Sequence, residues 1–233
     1  NGGHGHLVCV DPLVPYFDSE KMQAAVNNEN KSAQQRQCNI LNEMTALLEG
    51  DYVYDICRHN LSTIPEPTSV SILRESSRKA LPLLETGSFD IIYIDGCHAY
   101  ESVLADIGEA KRLIKPGGII CGDDLEVQLP ECDRRFAFAN RDVDVPQDPK
   151  TGKQFHPGVT LAVGQEFGEV GEYLGFWAVH RTQSGRFEPL RFGNIEVIIP
   201  DHFGELHKKI TMMQLEKLAQ ENAGKPATDQ AYG

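Results

Sequence analysis

Four acidic residues are the first candidates for chemistry, because each closes a short apolar run. Asp11 follows His6-Leu7-Val8-Cys9-Val10, Asp95 follows Phe89-Asp90-Ile91-Ile92-Tyr93-Ile94, and the pair Asp123-Asp124 follows Ile119-Ile120-Cys121-Gly122. Runs of this length and character read as buried strands. In open α/β sheets ligands bind outside the carboxyl ends of the strands. Acids at three such ends therefore point to one ligand-binding edge. Each acid could instead cap the helix that follows it, but three ends, one of them doubly acidic, favour the ligand reading.

These acids need strands to carry them and helices to space the strands. Tyr100 to Ile114 reads as a helix, with Val103, Leu104, Ile107, Ala110 and Ile114 on one face. Lys115-Pro116-Gly117-Gly118 stops it, the glycines being free to adopt positive φ. Ser19 to Glu49 reads as mostly helical, with Cys38, Leu41, Met44, Leu47 and Leu48 on one face of its second half. Val70 to Arg74 reads as a strand and Ser77 to Leu84 as a short helix. Leu125 to Phe155 is polar and proline-dotted and reads as a long loop or small insertion, which in a compact domain is usually functional. Val159 to Phe167 reads as a helix. Phe176 to His180 and Phe187 to Phe192 read as an antiparallel pair turning at Gln183-Ser184-Gly185, with Trp177 in the core. Strands alternating with helices imply a mostly parallel sheet covered on both faces.

The stretch Phe89 to Asp124, FDIIYIDGCHAYESVLADIGEAKRLIKPGGIICGDD, resembles class I methyltransferases that use S-adenosylmethionine. It shares with them a strand ending in Ile-Asp-Gly-x-His, a helix with an internal Asp, a Leu-x-Pro-Gly-Gly-like stop and a strand ending in an acidic pair. It is most similar to the macrocin O-methyltransferase and cephalosporin hydroxylase-like group. The resemblance extends more weakly from His6 to about His180.

The resemblance implies a Rossmann-like α/β fold and the following roles. Asp11 would accept the ribose hydroxyls of S-adenosylmethionine, Ser77 would lie near its adenine end, and Asp95 would belong to the same cofactor site. Asp95, Asp123 and Asp124 would hold a magnesium ion, whose hard character suits carboxylate oxygen. The ion would lower the pKa of a substrate hydroxyl, and His98 would take the proton as general base. His156, before Pro157-Gly158, could reach the same mouth from the loop, although a structural role is the simpler expectation. The acceptor would be a small hydroxylated molecule.

Methyltransferases of this kind begin with a strand and a glycine-rich turn, expected about one helix before His6. That first strand is missing from the chain, where Asn1-Gly2-Gly3-His4-Gly5 reads as the turn entering the Asp11 strand. It would be central in the sheet, and its neighbours would keep unpaired backbone groups. The expected explanation is an omitted or truncated upstream segment. Two alternatives to an active O-methyltransferase stay open: a degenerate domain serving as a structural or assembly subunit, and a metal-binding hydroxylase-like or hydrolytic enzyme.

Composition narrows the partners. The 233 residues carry a net charge of −12, which disfavours nucleic acid and anionic membrane. No apolar run suffices for membrane insertion. Six scattered cysteines without a Cys-x-x-Cys pair argue against a structural zinc centre and fit the reducing cytoplasm. The expected organisation is a methyltransferase-like domain over 1–200 with an insertion near 125–156, a C-terminal helix over 201–223 and a flexible tail over 224–233. That helix, with Leu206, Ile210, Met213 and Leu218 at amphipathic spacing, could pack on the sheet, pair with a second copy or bind a partner subunit.

Overall fold

The computed structural model describes residues 5–14, 43, 45–64, 67–193, 204–205 and 208–213. The glycine-rich start, most of the helix expected at Ser19 to Glu49, most of the C-terminal helix and the tail lie outside them. The chain divides into two compact units, Asn1–Arg191 and Phe192–Gly233. Of the second, 208–213 are helical.

The first unit is an α/β fold with helices and a mixed sheet. Strand β1 (His6–Val10) pairs in parallel with β2 (Ser69–Leu73), from His6 opposite Ser69 to Val10 opposite Leu73. Helix α1 (Tyr52–Ser62) lies between them in the chain, where no element was expected. Strand β3 (Phe89–Ile94) pairs in parallel with β4 (Ile114–Leu125). Strands β5 (Gly171–Tyr173), β6 (Gly175–Arg181) and β7 (Phe187–Pro189) complete the sheet antiparallel, with order β3-β4-β6-β5 and β7 against β6. The hairpin expected around Gln183 to Gly185 is β6–β7; the short β5 was not anticipated. Among the described residues no ladder joins β1–β2 to β3–β4.

Helix α2 (Ser77–Ala80) continues as a 3-10 turn (Leu81–Leu83), because Pro82 cannot donate to a continuing α-helix. Helix α3 (Tyr100–Leu113) buries Val103, Ile107, Ala110 and Leu113, a spacing of three and four that makes one continuous face. That face meets Ile120 on β4, Trp177 and Val179 on β6, and Val159, Ala162 and Val163 on α5 (Pro157–Phe167). The end of α3 passes directly into β4 at Ile114, so the Lys115-Pro116-Gly117-Gly118 stop is the irregular first part of the strand. Its ladder shifts register between Phe89 and Ile91.

The segment after β4 is more than a loop. It holds helix α4 (Arg134–Ala139), capped by the Asp133 side chain, and a small core of Val127, Cys132, Ala137 and Phe155. Polar sequence concealed this because a few apolar residues, widely separated in the chain, suffice to close a subcore around one buried carboxylate. Asp148 is fully buried and accepts hydrogen bonds from the Asp133 and Thr151 amides and the Thr151 hydroxyl. Burial alone would raise its pKa, but these donors outweigh it and hold the group below the ordinary carboxylate value. Asp148→Ala strands the donors and is expected to cost about 2–3 kcal/mol, read by urea denaturation. An unchanged midpoint would show that Asp148 does not organise this segment. Because its folded pKa is depressed, the stabilisation is present above the unfolded carboxylate pKa and lost as pH falls through the folded one.

Candidate functional site

The carboxyl ends of β3 and β4 deliver Asp95, Gly96, His98, Asp123 and Asp124 to one small cavity, floored by Trp177. The indole Nε1 of Trp177 is buried without a hydrogen-bond partner. Asp124 takes a φ of 66°, a left-handed conformation costing a non-glycine residue roughly 1–2 kcal/mol. Its carboxylate lies between two imidazoles: Oδ2 is 3.0 Å from His98 Nε2, and Oδ1 is 3.6 Å from His156 Nδ1.

Each histidine rests on a further carboxylate. His98 Nδ1 donates to Asp144 Oδ1 at 2.7 Å. His156 Nδ1 donates to Glu126 Oε1 at 2.9 Å, and its amide donates to Glu126 Oε2 at 3.1 Å. The rings meet edge to face with centroids 4.4 Å apart. Ligand atoms of His98, Asp124 and His156 all lie within 4.8 Å of one another.

The electrostatics follow from this packing. Burial pushes the Asp124 carboxyl pKa up, and the attraction of His156 and His98 does not fully offset it. Burial disfavours the charged form of His156, but Glu126, Asp124 and Asp144 outweigh it and hold its pKa above the ordinary value. The Tyr93 phenol is pushed up to about 12 by burial and then by the charges of Asp95, Asp123 and Asp124. Those three acids therefore concentrate negative potential at one mouth.

The expected site residues are distributed as follows. His98 and Asp124 come together. Asp95 and Asp123 line the same cavity, but neither belongs to the three-residue group with metal-ligand spacing found among the described residues. Asp123 Oδ1 accepts from the Asp124 amide at 3.0 Å, and Oδ2 is 3.5 Å from the Tyr93 hydroxyl. Asp11 is exposed just beyond β1, with Oδ1 accepting from the Leu13 amide at 2.6 Å. The Ser77 hydroxyl is engaged with Asp106, the internal acid of α3. His156 stands in the cluster itself, carried there by the segment after β4. Glu126 and Asp144 were not anticipated. The donor-rich polar residues before Pro157 were the available signal for His156, but chain distance hid its partners.

In donor type Asp95, Asp123 and Asp124 fit a hard cation such as magnesium, and their shared field at Tyr93 would attract one. The closed three-ligand group is nevertheless a different one, with two nitrogens and one carboxylate.

A parallel α/β edge with acids at its strand ends and a histidine–carboxylate mouth defines a small-ligand domain of the Rossmann-like class. The sequence profile of a family described as "Methyltransferase domain" matches residues 1–125, and the chain belongs to that family. Similar solved structures include a Corynebacterium glutamicum protein, 15% identical over 76% of this chain, with a TM-score of 0.39. This chain spans 61% of that one. A cofactor-bound protein from MTB is 15% identical, with 74% and 71% of the two chains covered and a TM-score of 0.30. A possible exported protein from Bordetella parapertussis is 12% identical, with 80% and 63% covered and a TM-score of 0.28. No curated protein matches the chain. Among the described residues no helix is long and apolar enough to cross a membrane.

Proposed function

We propose that this methyltransferase-domain protein transfers the methyl group of S-adenosylmethionine to a hydroxyl oxygen of a small molecule, with His98 receiving the hydroxyl proton. The observation that carries this reading is the placement of His98 at the cavity mouth between two carboxylates. Asp144 accepts from Nδ1 at 2.7 Å and so makes Nε2, on the Asp124 side, the nitrogen that would take the proton. Asp124, 3.0 Å from Nε2, would stabilise the imidazolium that results.

S-adenosylmethionine would supply an electrophilic methyl on a positively charged sulfur. Asp11, exposed beyond β1, would hold its ribose hydroxyls, with Ser77 and Asp95 bordering the same cofactor. Residues around the mouth would exclude water and orient the acceptor, which supplies much of the rate by proximity. The acceptor oxygen would form the new bond to carbon as the carbon–sulfur bond breaks, giving a methyl ether and S-adenosylhomocysteine, with the proton on His98.

A cation-assisted variant is favoured by one observation, the placement of the Asp95, Asp123 and Asp124 carboxylates on one cavity. These three would hold magnesium, which would lower the pKa of a hydroxyl it contacts.

Calorimetric titration with S-adenosylmethionine, with and without magnesium, tests the reading. Saturable micromolar binding is expected, weakened in Asp11→Ala by roughly tenfold or more, the loss of one charge-assisted pair of hydrogen bonds. No binding by folded protein would sink the enzyme reading and favour a structural subunit.

A further inference from the structure

We propose that His98, Asp124 and His156 form a binding site for a borderline divalent cation of the zinc type. Three features of the cluster support it. The first is convergence: one ligand atom from each residue lies within 4.8 Å of the others. The second is donor chemistry. Two imidazoles and one carboxylate suit zinc or a late first-row cation, whereas magnesium takes oxygen and keeps its waters. Three protein ligands also leave the open fourth position of a reactive zinc site.

The third is the outer layer. A metal-bound histidine commonly donates its other ring N–H to a carboxylate, which fixes the tautomer and raises ligand basicity. Both histidines do so here, His98 through Nδ1 to Asp144 and His156 through Nδ1 to Glu126. Each is thus oriented with Nε2 as its remaining lone pair. Asp144 lies 3.9 Å from His156 Nε2 and adds to the negative field, as do Asp95 and Asp123 on the cavity wall. The two rings meet edge to face, and His156 is buried.

The site has a functional consequence that rests on the reading proposed above, although the site itself does not. A cation on His98 Nε2 occupies the lone pair that would accept the hydroxyl proton. Zinc-type cations would then inhibit methyl transfer.

The test is calorimetric titration of metal-free whole chain with Zn2+, paralleled by Co2+ as a probe whose visible absorption reports tetrahedral nitrogen–oxygen ligation. One equivalent of Zn2+ is expected to bind and to raise the melting temperature. Glu126→Gln should weaken binding by roughly 10–100-fold through loss of the supporting carboxylate, and His156→Ala by at least as much. Because His156 is packed, His98→Ala at the more exposed ligand provides the same measurement if His156→Ala fails to fold. The proposal is overturned if folded wild type shows no saturable Zn2+ binding, if the ligand variants bind as wild type does, or if millimolar Mg2+ displaces Zn2+. None of these readouts needs activity. A protein that binds Zn2+ as expected but transfers no methyl group supports the site and sinks only the methyl-transfer reading.

Discussion

His98→Gln is expected to lower kcat for methyl transfer by about 10²–10⁴-fold, the range that a positioned general base contributes, without weakening S-adenosylmethionine binding. The substitution keeps a polar group of similar reach but cannot take a proton. The effect should fall on kcat because His98 stands at the cavity mouth, whereas the residue proposed for the ribose, Asp11, projects beyond a different strand. Asp144→Asn should reproduce part of the loss. It keeps the contact to Nδ1 but removes the charge that favours the imidazolium. The measurement is transfer of a labelled methyl group from S-adenosylmethionine to an acceptor drawn from a panel of sugars and phenols. If kcat in His98→Gln equals that of wild type, His98 is not the base. If instead only KM for S-adenosylmethionine rises, the histidine belongs to cofactor binding.

How far the sequence foretold this site depends on the distance over which each residue finds its partners. The strands ending in Asp11, Asp95 and Asp123-Asp124 were legible because each is a short, nearly uninterrupted apolar run, even though β1 and β3 leave part of that run exposed. The face of α3 was legible because its period is local. His98 could be placed with Asp124 because β3 and β4 are parallel neighbours and their carboxyl ends coincide. His156 was different. Its contact with Asp124 and Glu126 depends on the fold of the intervening segment, which closes on the buried Asp148 and on Phe155. Nothing periodic announces that closure. Helix α1 escaped notice although it is amphipathic; none of its residues is fully buried. The left-handed Asp124 was likewise invisible, because strain at a functional position follows from tertiary packing and not from propensity. The convergence of Asp124 with two histidines is the product of these nonlocal features.

The same nonlocal closure makes Gly158 a position that no side chain can occupy without backbone movement. Gly158→Ala is expected to destabilise the protein by about 3 kcal/mol, the upper part of the usual overpacking range. For a chain of this size that lowers the melting temperature by roughly 6–12 °C. A Cβ on Gly158 would lie 2.1 Å from the His98 carbonyl oxygen, and 2.7 Å from both the Arg141 carbonyl oxygen and the Tyr100 amide nitrogen. All three are backbone atoms and cannot swing aside. They tie together the loop that carries His98, the segment that carries Asp144, and the start of α3, whose Tyr100 amide donates to Arg141. The helix beginning at Pro157 therefore presses directly on the His98 loop, and only a residue without a side chain permits the approach that puts His156 beside His98. Relief would come from moving α5 outward, which would separate the two rings and weaken the proposed zinc site along with stability. Gly108→Ala supplies the control. It lies on the exposed face of α3 with nothing within 4 Å of its added Cβ. That substitution is expected to stabilise by about 0.5–1 kcal/mol through helix propensity. Opposite shifts in calorimetric melting would show that close backbone approach, and not glycine flexibility, is what Gly158 provides. Equal shifts would refute the packing argument on which the His98–His156 contact depends.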